Sequence, residues 1–248
     1  MRRDRVIVTA GLVGVAALGW AYMLYLARGM AVMDMGTDMA MPQMQAWGVV
    51  DLTLLFVMWA VMMVAMMVPS ASPLILMLAA ANRKRRERED PLVPTGLFLG
   101  GYLLVWTAFS AVATAAQWGL HATAMLSPAM VGTSPVLGGL LLTLAGVFQF
   151  TSLKRACLSH CRSPLGFVMS HWRDGRGGAV RMGLEHGLYC VGCCWILMAL
   201  LFVAGVMNLV WVAAISLFVL AEKVLPRGDL VGKLGGVVLL VAGLVMLR

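Results

Sequence analysis

The chain has 248 residues, of which 61% are hydrophobic and only 12% charged, with a mean hydropathy of +0.90. A soluble domain carries roughly twice that charged fraction, so composition excludes an ordinary water-soluble enzyme. The net charge of +8 is no nucleic-acid footprint either, because it gathers in short segments between apolar runs.

Seven apolar runs are long enough, or nearly so, to span a hydrocarbon core, which takes about 20 residues. They lie at 6–26, 51–76, 95–117, 135–153, 183–206, 209–225 and 233–247. Arg2, Arg3 and Arg5 precede the first run. It reads as a retained helix rather than a cleaved signal peptide, since no clean small-x-small cleavage site follows it. The predicted fold is therefore all-α: one polytopic helical membrane domain over 1–248, with about seven transmembrane helices. Arg83, Lys84, Arg85, Arg86 and Arg88 follow the second run. Lys154, Arg155, Arg162, Arg173, Arg176 and Arg181 separate the fourth from the fifth, and Lys223, Arg227 and Lys233 the sixth from the seventh. All of these fall on one side if every run spans. The positive-inside rule then puts the N-terminus in the cytoplasm and the C-terminus outside.

Between the first two runs lies a predicted outer loop, 29–46, with Met30, Met33, Met35, Met39, Met41 and Met44 around Asp34 and Asp38. Methionine normally fills apolar gaps, but a solvated loop has none to fill. Thioether is neutral and soft, suits Cu(I), and survives an oxidising compartment that would couple free thiols. In the second run Met58, Met62 and Met66 repeat every four residues and share a helix face, and Met63 and Met67 repeat the step beside them. This stripe reads either as packing or as a metal path that ends at Pro69 and Pro73, where prolines predict a break or kink. Asp51 at its outer end is a gate ligand or a plain cap.

The inner segment 154–182 holds Cys157, His160, Cys161 and His171. Pro164 and the glycines at 175, 177 and 178 argue against one continuous helix there, while a short interfacial helix around 167–172 is expected. Cys157 and Cys161 form half of a site that the fifth run could complete. In that run His186, Cys190 and Cys194 repeat every four residues and Cys193 adjoins them. Gly187 and Gly192 leave room for a neighbouring helix. Single membrane cysteines are often mere filler, yet three within five residues, one turn from His186, point to soft-metal binding. All five cysteines fall on the predicted inner side, where a reducing cytoplasm keeps thiols free. Glu222 and Lys223 read as interfacial charges, and Gln117, His121 and Gln149 as boundary or interhelical polar residues.

These segments resemble a bacterial family of predicted metal-binding integral membrane proteins, domain-of-unknown-function family 2182. The resemblance is carried by Met58 to Pro69 (MWAVMMVAMMVP), Gly187 to Trp195 (GLYCVGCCW), Met207-Asn208-Leu209 and Ala221-Glu222-Lys223, and it covers about 47–247. It implies a multi-pass protein of the bacterial inner (cytoplasmic) membrane that binds a metal. A weaker similarity, to Ctr-type copper importers, rests only on the Met-x-x-x-Met spacing.

The sequence thus predicts binding of Cu(I), with Zn(II) an acceptable occupant of a thiolate-imidazole set. The ion would pass from outer methionines through Met58, Met62, Met66, Met63 and Met67 to Cys190, Cys193, Cys194 and His186, with Cys157, His160 and Cys161 nearby. The expected partners are the lipid bilayer, the metal ion, and a cytoplasmic or periplasmic metallochaperone or a membrane cuproenzyme. Two other readings stand beside it. One is a membrane thiol-disulfide oxidoreductase using Cys190 and Cys193; the other is an assembly factor or metallochaperone for a cuproenzyme. No ATP-binding or aspartyl-phosphorylation motif is present, and catalysis is the less favoured class.

Overall fold

The computed structural model describes residues 2–34, 47–88, 92–123 and 134–248, with side chains from residue 6 to 29 in the first of these. Of the methionine loop expected over 29–46, residues 29–34 continue the helix that begins at Arg2, and 35–46 lie outside the described residues. The described residues are helical: α1 (Arg2–Asp34), α2 (Val49–Arg86), α3 (Thr95–Ala122), α4 (Pro135–Phe148), α5 (Ser152–Arg162), α6 (Pro164–His171), α7 (Gly175–Ala199), α8 (Leu201–Ala204), α9 (Leu209–Val224) and α10 (Gly228–Met246).

Among the described residues, five stretches are long and apolar enough to cross a membrane: Val6–Gly29, Val49–Arg86, Thr95–Ala122, Gly175–Ala204 and Gly228–Met246. The predicted fourth run is divided between α4 and α5, which meet at a 65° bend. The predicted sixth, α9, has 16 residues, about 24 Å of helix against a core of about 30 Å.

α2 is one helix of 38 residues that runs through both Pro69 and Pro73, where sequence predicts a break or kink. A proline in a helix deprives the carbonyl four residues earlier of its partner. Pro73 does this to Pro69, whose oxygen accepts from Ser72 Oγ at 2.8 Å instead. Local hydroxyl bonding of this kind is how apolar surroundings tolerate helix prolines.

α3 and α7 pack at backbone contact because glycines line the seam. A Cβ at Gly183 would lie 2.1 Å from the Phe98 carbonyl oxygen, a distance that only glycine permits. Gly187, one turn on, faces Val105 of α3, which completes a small-xxx-small seam. At the basic end, Arg85 of α2 pairs with Asp174 at 3.1 Å and lies over the Trp172 ring. Gly175 begins α7 with φ +79°, a left-handed conformation suited to glycine. α7 thus begins eight residues before the predicted run. Cys190 stands half-way along Gly175–Ala204 rather than near one end.

Residues 154–182, expected as a largely irregular inner loop, are mostly helical. Ser163 ends α5, and its hydroxyl accepts from Gly166 N–H to start α6, the short helix expected around 167–172, which begins earlier, at Pro164. α5 folds back along α7, so its thiols enter the bundle.

Candidate metal centre

Cys190 is the hub. Its sulfur is 3.1 Å from Tyr102 Oη and accepts a hydrogen bond from Lys223 Nζ at 2.9 Å. Tyr102 Oη also lies 3.2 Å from the Met67 carbonyl oxygen, and Lys223 Nζ donates to Ser70 Oγ at 3.1 Å. α2, α3, α7 and α9 therefore meet around one sulfur. The α3–α7 glycine seam is what lets a tyrosine on one helix reach a cysteine on the other.

Cys193 and Cys194 sit one turn on and are buried like Cys190. Both thiols turn back along the helix and donate to the Cys190 carbonyl, at 3.1 and 2.9 Å. From α5, Cys161 meets the thiols of Cys190 and Cys193. Cys157 packs against Gly192, where a Cβ would stand 2.8 Å from its sulfur. Gly192 thus admits α5 at the level of the thiols. All five cysteines are free. The fold brings together the two cysteine sets that sequence places on separate segments.

Among the described residues, no group of three or more Cys, His, Asp or Glu side chains is already arranged to hold a metal ion. The reason is local. Two of the thiols are spent on a backbone carbonyl, and Cys190 is held by Tyr102 and Lys223.

His186 is buried between Phe98, Tyr102 and Phe167, with ring centroids at 6.1, 5.7 and 5.1 Å. Its Nδ1 has no hydrogen-bond partner among the described residues. A buried polar atom left unpaired calls for an explanation, and a nitrogen ligand one turn from Cys190 is one that suits thiol neighbours. His160 stacks on Tyr189 at 4.0 Å, on the flank of α7 rather than within the thiol cluster.

Met58, Met62, Met63, Met66 and Met67 are all buried. The stripe therefore faces protein, and the Met67 carbonyl is tied through Tyr102 to Cys190. A cavity of about 280 Å³ opens at the N-terminal end of α2, lined by Tyr22, Leu26, Trp47, Asp51, Met58 and Met207 among others. Met207 stood out in the sequence only through the Met207-Asn208-Leu209 segment of the resemblance. Asp51 Oδ2 accepts from the Gly48 N–H at 2.9 Å, so the cap role is present. Gln117 accepts from Trp59 Nε1 at 2.6 Å, and His121 stacks on Trp47; both are helix ties.

Glu222 and Lys223 are the main departure from expectation. Both are buried within the protein, with relative exposures of 1% and 7%. They do not pair with each other. Glu222 accepts from Lys154 at 2.6 and 2.8 Å, while Lys223 goes to Cys190. Neighbours on a helix point about 100° apart, so each reaches its own partner. A charge within a predicted apolar run is the kind that usually marks function, and that was the signal that could have singled out Lys223.

A family model described as PpoB2, copper chaperone, matches residues 56–246. It takes in the methionine stripe, all five cysteines and Lys223, over nearly the stretch that carries the sequence resemblance. No curated protein and no solved structure matches.

Proposed function

The chain belongs to the PpoB2 copper chaperone family, and from that membership we propose that it holds Cu(I) within the membrane and hands it to a partner protein. In this reading the runs cross the bilayer seven times, with the N-terminus cytoplasmic and the C-terminus outside, in a bacterial inner membrane. The methionines of 29–46 collect the ion. Met58, at the cavity that Asp51 and Met207 share, begins the path, and Met62, Met63, Met66 and Met67 continue it. Cys190, Cys193, Cys194 and Cys161 receive it, with Cys157 and His186 adjoining.

The observation that carries this reading is the convergence of thiols from α5 and α7 beneath Lys223. Thiolate is the form that ligates metal, and several thiolates in an apolar interior need positive charge beside them. The Lys223 ammonium at 2.9 Å from Cys190 supplies one such charge, and Cu(I) supplies another. Thiolate binds Cu(I) more tightly than thioether, so the ligand order favours movement from methionines to cysteines. Zn(II) is a weaker candidate, because the path to the cluster is lined by thioethers. The copper family also favours metal handling over thiol-disulfide exchange.

The test is the metal content of anaerobically purified protein, wild type beside Cys190→Ser/Cys194→Ser, with Cu(I), Zn(II) and Ag(I) in competition. Copper bound by the wild type and lost by the double variant is expected. Equal copper in both would overturn the site, and reconstitution in vesicles would separate handover to a partner from flux across the bilayer.

A further inference from the structure

On the flank of α7, beside Tyr189, two imidazoles meet edge to face outside the centre described above. His160 is on α5 and His171 closes α6; their ring centroids are 5.9 Å apart at an interplanar angle of 79°. Each ring is fixed twice. His160 stacks on Tyr189 at 4.0 Å, and its Nδ1 is 2.9 Å from the Ala156 carbonyl. His171 stacks on Phe167 at 4.6 Å, and its Nδ1 is 2.8 Å from Ser170 Oγ. In both rings Nδ1 is engaged, which leaves Nε2 as the ligating nitrogen. A metal-binding histidine is commonly held in this way through its other ring nitrogen.

The separation fits a shared ion. With a metal–nitrogen bond of about 2.0 Å and the ring centroid about 1.1 Å behind the nitrogen, two centroids lie about 5 Å apart at a tetrahedral angle and about 6 Å apart when linear. The observed 5.9 Å is near the linear end, which is the coordination that two-ligand Cu(I) accepts and Zn(II) does not. Both rings are half-buried, so an ion can reach them. Phe167 touches both His171 and the buried His186, so the pair is one ring away from the imidazole beside Cys190.

We infer that His160 and His171 form a second, two-nitrogen Cu(I) site that exchanges metal with the thiol cluster. The exchange rests on the copper reading proposed above; the site itself does not. The step is ligand substitution: a nitrogen–copper bond breaks as a sulfur–copper bond forms, with no change of oxidation state.

X-ray absorption of the full chain in detergent, loaded anaerobically with one and then two equivalents of Cu(I), tests this. The first equivalent is expected in a sulfur shell, and the second is expected to add nitrogen at about 2.0 Å. His160→Ala/His171→Ala should lose the second equivalent and its nitrogen shell while keeping the first, and the retained sulfur-bound copper shows that the variant is folded. Ser170→Ala, which only releases His171 Nδ1, should weaken the second equivalent about tenfold. A nitrogen shell that persists in the double-histidine variant, or a wild type that takes up one equivalent only, overturns the site. In Cys190→Ser/Cys194→Ser the two readings part. Loss of the sulfur shell with nitrogen retained supports both, whereas an intact sulfur shell refutes the thiol centre and leaves the histidine site to the nitrogen signal.

Discussion

Two lysines are buried in this helical bundle, and they are held in opposite ways. Lys154 of α5 meets a full counter-charge: both oxygens of Glu222 on α9, and the side-chain oxygen of Gln149 at the α4–α5 bend. Among the described residues, Lys223 of α9 hydrogen-bonds a sulfur and a hydroxyl, Cys190 and Ser70. The first arrangement is complete in itself and ties α5 to α9. The second leaves a cation whose partner is a candidate metal ligand. Equal burial thus conceals different roles, and the identity of the partner separates a clamp from a site.

The largest effect should come from breaking the clamp. Glu222→Gln strands the Lys154 charge and should destabilise the fold by about 3–5 kcal/mol, whereas the apolar pair Lys154→Met/Glu222→Leu should recover most of that. Thermal unfolding in detergent measures both. If Glu222→Gln abolished copper binding in protein that is still folded, the division between clamp and site would fail.

Lys223→Met should do the reverse. It removes a cation with no carboxylate to strand, so stability should change little. Cu(I) affinity should fall about 10- to 100-fold, the equivalent of the ~1.5–3 kcal/mol of a charged hydrogen bond. Competition with a chromophoric Cu(I) chelator reads this directly. Unchanged affinity would reduce Lys223 to a structural donor.

The smallest effect on copper affinity belongs to Met62→Leu/Met66→Leu, each a volume-conserving change costing under about 1.5 kcal/mol of stability. If thioethers form the path, copper loading of the cysteines should slow while their final occupancy stays the same. Equal loading rates would return the stripe to packing.

The histidine-cysteine run of α7 and the buried methionines of α2 were legible because helical period assigns residues four apart to one face. Gly187 and Gly192 were legible as places of close approach for the same reason, although which helix fills each was not. The α5–α7 contact escaped the sequence, since nothing local says that a chain leaving α4 turns by 65° and folds back. The histidine pair escaped for a like reason: His160 and His171 come together only because Ser163 and Pro164 restart the helix in a new direction.

The sequence by itself determined that this chain is helical, apolar enough to cross a membrane, and supplied with soft ligands of two kinds. Those properties follow from composition and local period, which need no knowledge of what packs where. Only the tertiary structure decided that Cys161 joins Cys190, that Tyr102 and Lys223 enclose that sulfur, and that Glu222 turns to Lys154. These are pairings between residues far apart in the chain. Glycine seams set how closely the helices approach, and the approach decides which side chain becomes the neighbour of each buried charge.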